Sequence, residues 1–180
     1  MTNYISILRG INVGGNKRIK MDALRQMFVE LGCANVQTYI QSGNVIFESS
    51  EADVLTLEKT ISAKILETFG FEVPVLVLTA SEIATAVSNN PYSTDLAKDP
   101  TTIHFTFLSH LPDPTLLSKI VPTNYLPDEF ISLGKVIYMH CPNGYGNTKL
   151  TNTFFENKLK LTATCRNLKT SMELASLANK

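Results

Sequence analysis

The sequence has no paired-cysteine motif, no apolar run long enough to cross a membrane and no net charge. Its three cysteines, Cys33, Cys141 and Cys165, are odd in number and widely spaced. That excludes a disulfide framework and predicts a reduced, cytoplasmic setting, with each thiol a small buried apolar group rather than a nucleophile. The longest apolar runs are a few residues, so no transmembrane helix and no membrane partner are expected. Met1 to Leu8 lacks a charged segment followed by an apolar core, and no signal peptide is expected there. Equal counts of 16 cationic and 16 anionic side chains argue against sequence-blind binding of duplex DNA, which draws on a net cationic face. With 44% hydrophobic and 18% charged residues among 180, usage is that of an ordinary globular chain.

The charges that are present are arranged. From Met1 to Met21 there are four cations (Arg9, Lys17, Arg18 and Lys20) and no acid. From Lys149 to Lys180 six cations face two acids, so each end carries +4 and the middle −8. Two basic ends around an acidic body predict a local anion site, provided the ends meet.

Tyr4–Leu8 reads as a first strand, followed by a Gly- and Asn-rich loop from Arg9 to Arg18. Met21, Leu24, Met27, Phe28 and Leu31 recur at helical spacing, and Gly32 supplies a stop. Val36–Ile40 and Val45–Phe47 read as a hairpin about the turn Gln41-Ser-Gly-Asn44. Val54, Leu57, Ile61, Ile65 and Phe69 line a second helix closed by Gly70, and Pro74–Leu78 is a fourth strand. The order βαββαβ is the split unit of ferredoxin-like α+β folds. Thr79-Ala-Ser-Glu82 has capping-box form and opens a helix to Val87. Residues 89–100 break structure and read as a linker.

The second half reads as a strand at 102–108, a short helix at 113–121, a hairpin at 130–138 and helices at about 151–160 and 167–178. This is a βαββα pattern with an added terminal helix and no last strand. The expected organisation is therefore a ferredoxin-like subdomain over 1–80, a helix and linker over 81–100, and a second α+β subdomain over 101–180. Tyr39–Phe47 matches Phe130–Tyr138 position by position, as a diverged repeat would. Generic hairpin chemistry produces such matches too. If the halves are related, the first has the longer loop after its first strand, and such a loop is a place to look for function.

In a ferredoxin-like sheet the first and third strands are antiparallel neighbours at the centre. Arg9, Gly10, Asn12, Gly14 and Gly15 should then lie against Ser42, Gly43 and Asn44. Glycines let backbone N–H groups turn towards a ligand, and Arg9 can grip phosphate or carboxylate with two prongs. The competing reading is a solvated loop and a tight turn, where Gly and Asn are expected anyway. The spacing matches neither a Walker loop nor a dinucleotide fingerprint, so no nucleotide cofactor is expected. Arg166 and Asn167 precede the last helix, where Thr170-Ser-Met-Glu173 has capping-box form. His104 and His140 could be cross-strand neighbours, but a third ligand is missing and no metal is expected. No Ser-His-Asp or Cys-His grouping emerges.

At Leu8-Arg-Gly-Ile-Asn-Val-Gly-Gly15, followed by Met21, by Thr38-Tyr-Ile-Gln-Ser-Gly-Asn-Val-Ile-Phe47 and by Thr164-Cys-Arg-Asn167, the chain resembles a bacterial family known as domain of unknown function 1697. The resemblance runs along essentially the whole chain. It implies a cytosolic α+β protein of two similar subdomains with no established activity or cofactor. The family's recurrent polar positions fall here on Arg9, Gly10, Asn12, Gly14, Gly15, Ser42, Gly43, Asn44, Arg166 and Asn167. Where the family usually carries an aromatic after the Arg-Asn pair, this chain has Leu168.

Three functional readings fit these features. The first is a site for a small phosphate- or carboxylate-bearing ligand, with Arg9 and Arg166 neutralising its charge. A sharper form is acyl-phosphate hydrolysis, since the ferredoxin-like acylphosphatases resemble this arrangement of Gly-rich loop, Arg and Asn. The second is a single-stranded nucleic-acid module stacking bases on Tyr4 and Phe47. The third is a protein-interaction or regulatory module without catalysis. Whether the chain is an enzyme, and its oligomeric state, stay open at this stage.

Overall fold

The structure is a computed structural model describing residues Met1–Lys180, and it divides into two units: Met1–Ala84 with Glu173–Lys180, and Thr85–Met172. In the first unit β1 (Thr2–Leu8), α1 (Met21–Glu30), β2 (Ala34–Tyr39), β3 (Asn44–Ser49), α2 (Val54–Phe69) and β4 (Val75–Thr79) follow in order. The sheet order is β2-β3-β1-β4, with every neighbouring pair antiparallel.

Local chemistry sets these limits. The α2 helix starts where the Asp53 side chain accepts the Thr56 N–H and ends at Gly70, whose φ of 81° makes a left-handed cap. The capping box after β4 forms reciprocally: Glu82 N–H donates to Thr79 Oγ1 at 3.1 Å and Thr79 N–H to Glu82 Oε2 at 2.9 Å. It opens α3 (Ala80–Ser88) directly from the strand.

Tyr4 and Leu8 of β1, Val45 and Phe47 of β3, and Val75 and Val77 of β4 form one core with Leu24, Met27 and Phe28 of α1 and Leu57, Ile61 and Ile65 of α2. Phe47 is at its centre, with the Phe28 ring at 5.1 Å and the Tyr4 ring at 5.7 Å. Burying one such side chain stabilises the fold by about 1.5–3 kcal/mol. The C-terminus is tied to this unit where Asn3 Nδ2 donates to the Ala178 carbonyl at 3.0 Å.

The second unit holds β5 (Ile103–Leu108), α4 (Pro114–Ser118), β6 (Glu129–Leu133), β7 (Val136–His140), α5 (Asn152–Leu159) and β8 (Ala163–Asn167). The last helix, α6 (Leu168–Ala178), follows β8 without a break. The sheet order is β6-β7-β5-β8, again all antiparallel. The molecule is thus mixed α+β, with two four-stranded antiparallel sheets and six α-helices. No helix is long and apolar enough to cross a membrane.

Two expectations are corrected here. The second half does not lose its last strand: residues 163–167 pair with β5 from His104↔Asn167 to Leu108↔Ala163. The strand is short, and Thr164, Arg166 and Asn167 hide its apolar pattern. The position-by-position match of 39–47 with 130–138 is also out of phase. Leu8 N–H donates to Gly43 O at 2.8 Å and Leu108 N–H to Lys135 O at 2.9 Å, so Lys135 answers to Gly43, and Gly134 does not. In that frame Phe47 answers to Met139, and both lie in helix-covered cores. Tyr138 is on the opposite face, because a slip of one residue turns every side chain over.

The tightest point of the first sheet is Gly43, with φ +82°. A Cβ there would stand 2.7 Å from Ile11 Cδ1 and 2.8 Å from Leu8 Cβ. Gly43→Ala combines a left-handed penalty with overpacking, for a loss of about 2–4 kcal/mol. We expect its melting temperature to fall by about 5–15 °C. Gly134 has φ +57° and open space around its Cβ position. Gly134→Ala carries the backbone penalty alone, of about 1–2 kcal/mol, and should melt closer to the wild type. Equal losses in the two variants would show that the close approach at Gly43 does not matter.

Candidate functional site

Residues 9–20 run from the end of β1 to the start of α1. They form a small hairpin: Asn12 N–H donates to Lys17 O at 3.1 Å and Asn16 N–H to Val13 O at 3.0 Å. Gly14 and Gly15 occupy its tip with φ of 57° and 79°. Both central residues of this turn need positive φ, which explains the paired glycines.

The loop is fastened to the β2–β3 turn by Asn12. Its Nδ2 donates to Gln41 O at 2.8 Å and Ile19 O at 3.0 Å, and its Oδ1 accepts the Ile19 N–H at 2.9 Å. Ile11 and Ile19 are buried beneath it. The two motifs are therefore in contact, as antiparallel central strands require. Most of their polar groups are occupied in holding that contact. Asn44 is fully buried, and its Nδ2 donates to Tyr39 O at 3.0 Å and Ser42 Oγ at 3.1 Å. Both of its N–H bonds are thus directed inside the hairpin, where neither can place a water for hydrolysis.

The cations differ. Lys17, Arg18 and Lys20 are exposed, as is Gly10, while Arg9 is half-buried and its backbone N–H donates to Pro74 O at 3.1 Å. Lys17 Nζ donates to Glu72 O at 2.6 Å. An open groove of about 660 Å³ lies here, lined by Lys17 and Lys59 together with Glu58, Glu72, Pro74 and Val75. Glu58 is engaged, since its Oε1 accepts the Val77 N–H at 2.9 Å.

Arg166 and Asn167 belong to the other unit. They lie at the end of β8, immediately before α6. Asn167 caps α6, its Oδ1 accepting the Thr170 N–H at 2.8 Å. That corrects the expected cap at Thr170. Arg166 is half-buried, and its guanidinium donates to Cys165 O at 2.9 Å. Burial pulls its ionisation down to about 10, which still leaves it charged at neutral pH.

The histidines do not meet. His104 pairs with Met139 and so shares the helix-covered face, whereas His140, one residue on, takes the other face. His104 stacks on Tyr145 at 4.9 Å, and burial lowers its ionisation. The proposed base-stacking platform is also absent. Tyr4 and Phe47 are 2% and 1% exposed, inside the core on the helix side of the sheet.

The segment read as a linker carries a grouping that the sequence analysis missed. Tyr92 is 5% exposed. Lys98 lies over its ring at 5.4 Å, pairs with Glu129 at 2.8 Å and approaches His140 Nδ1 at 3.3 Å. The single aromatic residue of that turn segment was the available signal.

None of the thiols is poised for nucleophilic chemistry. Burial pushes Cys141 up to about 11 and Cys165 up to about 12, and it raises half-buried Cys33 as well. At pH 7.5 the thiolate fractions of Cys141 and Cys165 are on the order of 10⁻³ to 10⁻⁵. A disulfide reagent should label Cys33 first in the native protein. Cys141 and Cys165 should react at least a hundredfold more slowly than in urea. Rapid labelling of either in the folded state would contradict their burial.

A comparison with curated proteins gives no match. Among solved structures, the chain resembles the conserved bacterial protein SP0830 from Streptococcus pneumoniae. Their identity is 25% and the TM-score 0.69, over 100% of this chain and 99% of that one. The family described as protein of unknown function (DUF1697) matches residues 1–138, a span that includes the Arg9–Gly15 and Ser42–Asn44 motifs and excludes Arg166 and Asn167. The chain belongs to the DUF1697 family.

Proposed function

We propose that the first unit binds a small phosphate- or carboxylate-bearing ligand at the cationic loop after β1, without hydrolysing it. The observation that carries this reading is the placement of Arg9, Lys17 and Arg18 on a braced loop that contains no acid. Asn12 holds the loop to the β2–β3 turn through backbone carbonyls. A braced loop keeps its cations together at low entropic cost, which a flexible one would not. The groove beside Lys17 and Lys59 offers room for the rest of such a ligand. Arg9 and the Gly10 amide are the first contacts, and Lys17 the second. Asn12, Gly14, Gly15, Ser42, Gly43 and Asn44 shape the site and do not touch the ligand.

Arg166 and Asn167 are outside this proposal, because capping and a backbone hydrogen bond account for them. Acyl-phosphate turnover is outside it too, because Asn44 has spent its donors. The shared βαββαβ order and equivalent strand order support a ferredoxin-like reading of both units and an origin by duplication.

A thermal-shift panel of phosphate, pyrophosphate, acetyl phosphate, citrate and a short single-stranded RNA tests the proposal. At tenfold excess over Kd a bound anion adds about 1.4 kcal/mol, or about 3–6 °C for a chain of this size. Phosphates or citrate should give that shift in the wild type and lose most of it in Arg9→Ala and Lys17→Ala. Stabilisation that survives Arg9→Ala would refute the site. Binding of RNA with no response to small anions would replace the proposal with the nucleic-acid reading. Phosphate release from acetyl phosphate that disappears in Arg9→Ala would refute the claim of binding without turnover.

A further inference from the structure

Each four-stranded sheet ends in two edge strands, and an open edge offers its main chain to any other strand. Three of the four edges are obstructed. β2 breaks register between Ala34 and Gln37, where Asn35 has φ 49°, as a bulge does. Glu58 takes the Val77 N–H of β4 at 2.9 Å, and Glu156 takes the Ala163 N–H of β8 at 3.0 Å. β6 carries none of these devices. Its register with β7 runs without a break from Glu129↔His140 to Leu133↔Val136.

The phase of the hydrogen bonds shows which groups of β6 face outward. Leu108 N–H donates to Lys135 O and Cys141 N–H to Thr102 O, both at 2.9 Å, so the odd-numbered residues of β7 bond to β5. Val136, Tyr138 and His140 then bond to β6, through Leu133, Ile131 and Glu129. The main-chain N–H and C=O groups of Phe130 and Ser132 therefore point away from the sheet, and no hydrogen bond within the chain takes them up. Phe130 packs against the helix-covered core. Ile131 and Leu133, on the other face, are 39% and 45% exposed.

This strand complements its own reverse about Ser132. One residue away stand Ile131 and Leu133, both apolar. Two away stand Phe130 and Gly134, a large side chain and none. Three away stand Glu129 and Lys135, of opposite charge. A two-fold axis through Ser132 sets Ile131 against Leu133 of a second copy, Phe130 against Gly134, and Glu129 against Lys135. Apolar meets apolar, no like charges meet, and an aromatic ring covers a glycine that has open space around its Cβ position. Axes through Phe130 or Ile131 instead set Glu129 against Ile131 or Leu133.

We propose that this edge pairs with the same edge of a second copy of the chain, β6 antiparallel to β6 about Ser132. Ser132 exchanges main-chain bonds with its counterpart, and Phe130 bonds to the Gly134 turn. Each copy has one such edge, so association stops at a dimer. A single strand pair buries less than the roughly 1,200 Å² of stable complexes, so the dimer is weak and forms with concentration. It is independent of anion binding by the first unit.

The test is sedimentation of the full chain from about 10 μM to about 1 mM, the range of weak complexes, with amide chemical shifts followed in parallel. The wild type should pass from monomer to dimer while the amides of residues 129–135 shift. Ser132→Pro removes the N–H at the axis and leaves the bonds to β7, and edge strands tolerate proline. It should fold and stay monomeric. Ile131→Lys and Leu133→Glu each enter the interface twice and should weaken association about tenfold or more. Combining the two should restore association, because the axis sets the new charges against each other. A wild type that stays monomeric at the highest concentration leaves the edge to a strand of another protein and overturns the proposal. So do species larger than a dimer, concentration-dependent shifts that spare residues 129–135, and a combined variant no stronger than the single ones. A folded Ser132→Pro protein that dimerises as the wild type does would overturn it as well. If Ser132→Pro does not fold, the wild-type shifts and the combined variant decide.

Discussion

The close approach of Gly43 to Leu8 and Ile11 sets the geometry of the first unit at the end where its motifs gather. Without a Cβ at Gly43, Ile11 can lie directly on the β2–β3 turn. That places Asn12 within reach of the Gln41 carbonyl, and the same carboxamide then holds Ile19 through two more bonds. Ile19 is buried just before α1 begins, so the glycine governs where the first helix starts. Two motifs about thirty residues apart are one structural device. Because its inward positions are taken by Ile11 and Ile19, the intervening Lys17 and Arg18 are left on the outside. Their display follows from the packing.

What could be read in advance divides along physical lines. The α2 helix was legible from its apolar period and the Gly70 stop, which are local signals, and the structure adds the Asp53 cap at its start. The contact between the Arg9–Gly15 loop and Ser42–Asn44 was legible too, since it follows from two central strands running antiparallel. β8 was not. Five residues with three polar side chains carry little pattern, and their strand state depends on β5 as a partner. The false phase between the two hairpins has a similar cause. Both use the same residue types about a glycine, and only the backbone hydrogen bonds at Leu8 and Leu108 decide which positions correspond.

The roles of the site residues were harder to read than their positions. A sequence shows that Asn12 and Asn44 carry donors, but not which carbonyls stand nearby to accept them. In the folded chain those carbonyls belong to Gln41, Ile19 and Tyr39, so the asparagines brace the loop. Tyr92 shows the opposite case. Turn-forming residues around it suggest a spacer, while burial leaves its hydroxyl among the few polar groups without a hydrogen-bond partner.

The two sheets also meet the same hazard in the same manner. β4 and β8 are end strands, and an end strand offers unpaired N–H groups as a template for unwanted pairing. In each case a glutamate on the preceding helix reaches the strand: Glu58 accepts the Val77 N–H, and Glu156 accepts the Ala163 N–H at 3.0 Å. Each strand then hands its last residue to the next helix as a cap, Thr79 for α3 and Asn167 for α6. Edge carboxylate, terminal cap and immediate helix thus recur as a set around a shared strand order. A single feature of this kind arises readily by chance, because each answers a local need. Here the three occur together, on corresponding elements of the two sheets. Asn167 owes its place to the helix it starts.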